Sequence, residues 1–167
     1  MSTPTPVAVS IIDPTTLWFP VGVSKESQQI KEFVQEYKAN RQKPASFAWR
    51  DSLVEDVTEI LHTCSVRGWD GYDAEPASPD SAIGMIELLM NLPEGIQPPD
   101  AVPEPNGNVA LEWRADDHRV FSLIVTGTTI VYAGRFGGSS RKYGEERFFG
   151  VIPQTILEIL IRYFPLG

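Results

Sequence analysis

The apolar residues of this chain change their spacing once, and that change limits the fold more than any other feature. Before Pro93 they recur at helical intervals; from Asn106 onward they alternate with polar residues. A period of 3.6 belongs to helices with one buried face, and a period of two to strands with one buried face. Helical segments followed by strands do not alternate as a parallel sheet requires, so the expected class is α+β with one sheet face covered.

Asn106-Gly107 is a turn pair, and behind it Val109, Leu111 and Trp113 alternate with Ala110 and Glu112. Asp116-Asp117 turns the chain into 120–125, and Gly127 turns it again into 129–133, giving a three-stranded antiparallel meander. A glycine- and serine-rich connection over 134–144 is expected to lead to a fourth strand near 147–151. Pro153 then opens a last helix whose Ile156, Leu157, Leu160 and Ile161 are expected to face the sheet.

Three helices are expected upstream. Ser24 caps the first, where Ile30, Phe33, Val34 and Tyr37 form one stripe. The second is expected over 51–66, with Leu53, Val54, Val57, Ile60, Leu61 and Cys64 on its apolar face. Asp51, Glu55, Asp56 and Glu59 crowd its start, where carboxylates complement the helix dipole. The third begins sharply, with Ser78 as cap and Pro79 at its first position, and carries Ile83, Ile86, Leu89 and Met90. Residues 94–108 hold four prolines and two glycines and read as a linker. Residues 1–23 read as an extended segment whose run 7–12 fits a strand or a loosely held arm. Trp18 and Phe19 in it serve either as a lid or as anchors for a partner. All 167 residues make one domain: segment 1–23, helical part 24–93, linker 94–108, then sheet and closing helix over 109–167.

Cys64 is the only cysteine, so no disulfide forms within the chain, and a reducing cytoplasm is the expected compartment. No apolar run approaches the ~20 residues of a membrane helix. The first residues lack the basic segment of a signal peptide.

Charge is unevenly distributed. The net charge of −8 disfavours non-specific attachment to nucleic acid backbones. Residues 51–104 hold twelve acidic side chains and one basic one, Arg67. Residues 25–50 and 135–167 instead carry net charges of +3 and +2. Such a chain is polarised if its order maps onto separate faces; otherwise the acidic excess is a solvated surface.

The densest motif is Gly68-Trp69-Asp70-Gly71-Tyr72, followed by Asp73, Glu75, Pro76 and Ser78. Asp70, Asp73 and Glu75 offer hard oxygen ligands, but the alternating carboxylates and distal glutamate of a calcium loop are missing. As a structural turn, the same stretch folds Trp69 and Tyr72 back as anchors between two helices, with Gly68 capping the first. His62 and His118 have no partner at metal-ligand spacing, and Cys64 lies on the apolar side of its helix. No catalytic residue, metal site or cofactor follows from this inventory. The stretch 135–147 sets Arg135, Arg141, Lys142 and Arg147 around glycines and serines, with Phe136 and Tyr143 placed to stack on bases. It lacks the spacing of a P-loop and reads either as an anion-binding loop or as a long mobile hairpin connection.

Together with the downstream run from Pro105, Asn106 and Gly107 through Val109 and Leu111 to Trp113, the Gly68-Trp69-Asp70-Gly71-Tyr72 motif resembles a family of small uncharacterised bacterial proteins. The likeness covers roughly residues 66–135 and brings no activity or catalytic residue with it. It implies a bacterial or mobile-element origin and a partner encoded by a neighbouring gene.

The expected function is therefore non-enzymatic: binding a protein partner, as an antitoxin, immunity protein or inhibitor does. An acidic surface at Asp51, Glu55, Asp56, Glu59, Asp70, Asp73 and Glu75 speeds encounter with a basic partner. The alternative is a nucleic-acid or nucleotide-binding protein that uses the basic stretch 135–147.

Overall fold

The computed structural model describes residues 28, 30–32, 34–36 and 48–167. The expected run 7–12, Trp18, Phe19 and the Ser24 cap lie outside the described residues. So do Phe33 and Tyr37 of the expected first stripe; Ile30 and Val34 are helical, and Ile30 is buried.

Helix α1, Ala48–Thr63, buries Leu53, Val54, Val57 and Ile60, the one-sided spacing that its sequence predicts. It includes three residues before Asp51, among them Arg50, which is buried and whose guanidinium donates to the carbonyl of Leu92. Helix α2, Pro79–Asn91, starts at the expected cap, where the Ser78 hydroxyl accepts from the Ser81 amide. Its burial is wider than a single stripe, taking in Ala82, Gly84, Met85, Ile86, Leu88 and Leu89, while Ile83 and Met90 are only half-buried. A helix covered on two sides must be apolar on two sides. Here α1 packs on one and a strand on the other.

The sheet has five strands in sequence order, all antiparallel: β1 Asp100–Pro103, β2 Val109–Asp116, β3 Arg119–Thr126, β4 Thr129–Phe136 and β5 Arg141–Arg147. Two expectations are corrected. The supposed linker contains β1, an edge strand short enough to tolerate Pro103 at its end. The fourth strand of the sequence reading is the fifth here, and it lies at 141–147 instead of 147–151. The β4–β5 connection is only 137–140, with Gly137 and Gly138 at positive φ, so pairing resumes early. Being an edge strand, β5 meets solvent on both faces and shows no apolar alternation.

Leu111, Trp113, Phe121, Leu123, Val125, Ile130, Tyr132 and Phe136 form the buried face of the sheet. Helix α3, Gln154–Tyr163, closes this side through Ile156, Ile159 and Leu160. Ile161, expected to face the sheet, is 58% exposed. The inward stripe of α3 instead runs on to Phe164, whose ring centroid lies 6.4 Å from that of Phe121. Gly84 fixes how closely α2 sits on β3: a Cβ there would lie 2.7 Å from Val125 Cγ1. On the opposite sheet face Ala110 is buried and Ile124 half-buried, while Ala133, Arg135, Arg141, Tyr143 and Arg147 leave its β4–β5 end open; among the described residues no helix is long and apolar enough to cross a membrane.

Candidate functional site

The two conspicuous motifs fold into one joint. The chain leaves α1 at Cys64, whose carbonyl accepts from the Ala77 amide at 2.8 Å, and the intervening loop is closed by the Gly68 amide donating to Ala74. Asp70 caps the loop from within, one carboxylate oxygen accepting from the amides of Tyr72 at 2.9 Å and Ala74 at 3.3 Å. The Trp69 indole N–H donates to the Glu75 carbonyl at 2.8 Å. The second motif is tied to this loop: the Glu75 amide donates to Pro105 and the Ser78 amide to Gly107. Beneath them the buried Ser81 hydroxyl accepts from the Val109 amide at 3.0 Å. Gly107 has φ +84°, and a Cβ there would lie 2.6 Å from the Pro76 carbonyl oxygen. The Trp113 indole then donates to Gln97 at 2.9 Å. Gly68 and Gly71 take positive φ, Trp69 is half-buried and Trp113 is fully buried.

Tyr72 departs from its expected place. Its amide is held by Asp70, yet its side chain is 87% exposed at the tip of the loop. A tight turn fixes the backbone and thereby aims the ring outward, so it anchors nothing between the helices. Asp73, the next residue, is also exposed.

The seven acidic residues differ in exposure and in partners. Glu55, Asp56 and Glu59 stand exposed on the outward side of α1, whereas Asp51 is half-buried at its start. Asp70 is occupied as a loop cap, and Glu75 is paired with Arg67 on the surface. Glu55, Asp56 and Glu59 are thus exposed on α1, and Tyr72 and Asp73 are exposed on the braced loop that follows it in the chain.

The basic residues lie on strands, not on a loop. Arg135 belongs to β4, and Arg141, Lys142 and Arg147 to β5. Register places Arg135, Arg141 and Arg147 on the partly open sheet face, and Lys142, opposite Gly134, on the other. Arg135 donates to the Asp117 carbonyl at 2.9 Å. Nearby, Asp116 is held below the usual carboxylate range, first by the Arg119 side chain and then by the His118 amide. Val120, Ala133, Gly134, Arg135, Arg141 and Tyr143 line a shallow dish of about 310 Å³ on this edge. The sequence assigned these cations to a flexible connection; the signal for the strand was the pair Gly137-Gly138, which is short enough for a tight turn.

His62 and His118 are exposed and far apart in sequence, and Cys64 is buried. Among the described residues no three His, Cys, Asp or Glu side chains are grouped closely enough to hold a metal ion. Comparison with protein-family models, with curated proteins and with solved structures finds no match to this chain.

Proposed function

We propose that this protein acts by occupying the surface of a basic protein partner, in the manner of an antitoxin, immunity protein or inhibitor. The observation that carries this reading is Tyr72, 87% exposed on a loop whose backbone is braced by Asp70, Trp69 and the 105–107 segment. An exposed aromatic on a rigid support loses little conformational freedom on binding, which is what interface anchors require. Asp73 beside it, and Glu55, Asp56 and Glu59 along α1, supply the field that attracts a cationic surface. Asp70 and Glu75, already engaged within the loop, support the site without meeting the partner.

The test uses a photo-crosslinking residue at position 72 in the bacterial host, followed by kinetics with the purified captured protein. Truncation of Tyr72 to Ala is expected to weaken binding by about 2 kcal/mol, roughly 30-fold, mainly through faster dissociation. Reversing Asp56 and Glu59 to Lys is expected to slow association and flatten its dependence on salt. If affinity and association rate are unchanged in both variants, this reading is wrong.

A further inference from the structure

The partly open sheet face can be read as rows from the strand register. One row runs Arg114, Val120, Arg135, Arg141 across β2, β3, β4 and β5. The next runs Glu112, Ser122, Ala133, Tyr143. Arg114 is compensated, with its guanidinium 2.7 Å from Glu112. Arg135 and Arg141 are directly opposed, and among the described residues neither is paired with a carboxylate. Directly opposed side chains on one face have Cβ atoms about 5 Å apart, and like charges there oppose strand pairing. A fold that keeps such a pair on an exposed edge has left a place for an anion with several oxygens.

Tyr143 says what else that anion carries. It stands two residues along β5 from Arg141 on the same face, 85% exposed, opposite the small Ala133. The spacing along a strand is about 3.3 Å per residue, so the Cα atoms of Tyr143 and Arg141 lie roughly 7 Å apart on this face. An open ring above a small neighbour is a platform for a flat aromatic group. Phosphates joined to flat bases that are free to unstack describe a single-stranded nucleic acid. A duplex fits poorly, because its bases are already stacked and the chain's net charge of −8 repels a long polyanion. Asp100 and Glu112 bound the site on the β1–β2 side, and Glu145, the next residue on this face of β5 after Tyr143, bounds it along the strand, so an anion is held at the Arg135–Arg141 end.

We infer that Arg135, Arg141 and Tyr143 form a binding site for single-stranded nucleic acid, the two arginines on phosphates and the ring on a base. This site is separate from the Tyr72 loop and stands or falls independently of it. Its occupant touches a sheet face, so the short 137–140 connection contributes little beyond holding β5 in register.

The experiment is fluorescence anisotropy with the full chain at about 50 mM salt, using labelled twelve-nucleotide oligo-uridine, oligo-thymidine and a twelve-pair duplex. Both single strands are expected to bind more tightly than the duplex, and the RNA and DNA arms separate the two sources. Tyr143→Ser is expected to weaken binding about tenfold, and Tyr143→Phe to retain it, because stacking needs the ring and not the hydroxyl. Arg141→Ser is expected to weaken binding and to reduce the slope of log affinity against log salt by about 0.7. Arg162→Ser on α3 is expected to leave it unchanged. Failure to bind any oligonucleotide, tighter binding of the duplex, or wild-type affinity in both Tyr143→Ser and Arg141→Ser overturns the site. Displacement of the oligonucleotide by Arg141-dependent binding of an equimolar poly-glutamate peptide also overturns it, since the face would then read acidic protein.

Discussion

In the joint between 68–79 and 105–109, Asp70 accepts two amides, Trp69 bonds a carbonyl and Gly107 accommodates a close backbone approach. On the partly open face of the sheet, by contrast, Arg135 and Arg141 stand opposed and Tyr143 stands in solvent. The joint accounts for its own residues, apart from Tyr72 and Asp73 at its tip. The sheet face does not: it pairs in full register although two arginines face each other at its end. A conspicuous motif therefore marks architecture here, and an inconspicuous edge hairpin carries two exposed groups, Arg141 and Tyr143, beside an Arg135 that is already bonded to the Asp117 carbonyl.

The strongest way to break this comparison is Gly107→Ala. The new Cβ would meet the Pro76 carbonyl at 2.6 Å while φ stays at +84°, a region where side chains are strained. Because the obstacle is backbone, relief requires separating the two motifs. A loss of about 2–4 kcal/mol in urea unfolding is expected. A loss below about 0.5 kcal/mol would mean that the joint is incidental. Asp70→Ala is expected to have a smaller effect, about 1 kcal/mol, comparable to removing a helix cap. It also sharpens the comparison, because hydrogen exchange at the Tyr72 and Ala74 amides should accelerate while that of the sheet does not.

The sequence made much of this legible, and its failures have physical causes. The Ser78-Pro79 start of α2 and the alternation of Val109, Leu111 and Trp113 are local signals, and both appear in place. Strand β1 was hidden because prolines suggested a linker, although an edge strand leaves room for them. Strand β5 was hidden because solvent on both faces erases alternation. The joint between the motifs depends on contacts across some thirty residues, which periodicity does not register. The outward aim of Tyr72 follows from the Asp70 cap, and an aromatic in a turn gives no hint of which way it points. The opposition of Arg135 and Arg141 required the register, and placing the strand six residues late concealed it.

The smallest effect on stability is expected from Arg141→Ser, and its sign is the informative part. A surface substitution that removed a useful contact would destabilise, whereas removing one member of an opposed like-charged pair relieves repulsion. The change is expected to lie within about 0.5 kcal/mol of zero, on the stabilising side at low salt, and to shrink as salt screens the pair. Urea unfolding at two ionic strengths measures both the sign and its trend. Destabilisation above about 1 kcal/mol would mean that Arg141 holds β5 in place. The sheet face would then resemble the joint, with its charge explained by the fold and nothing left for a ligand to satisfy. A stabilising change that fades with salt would instead leave Arg141 as a residue kept against the interest of the sheet, which is the condition that an anion-binding role explains.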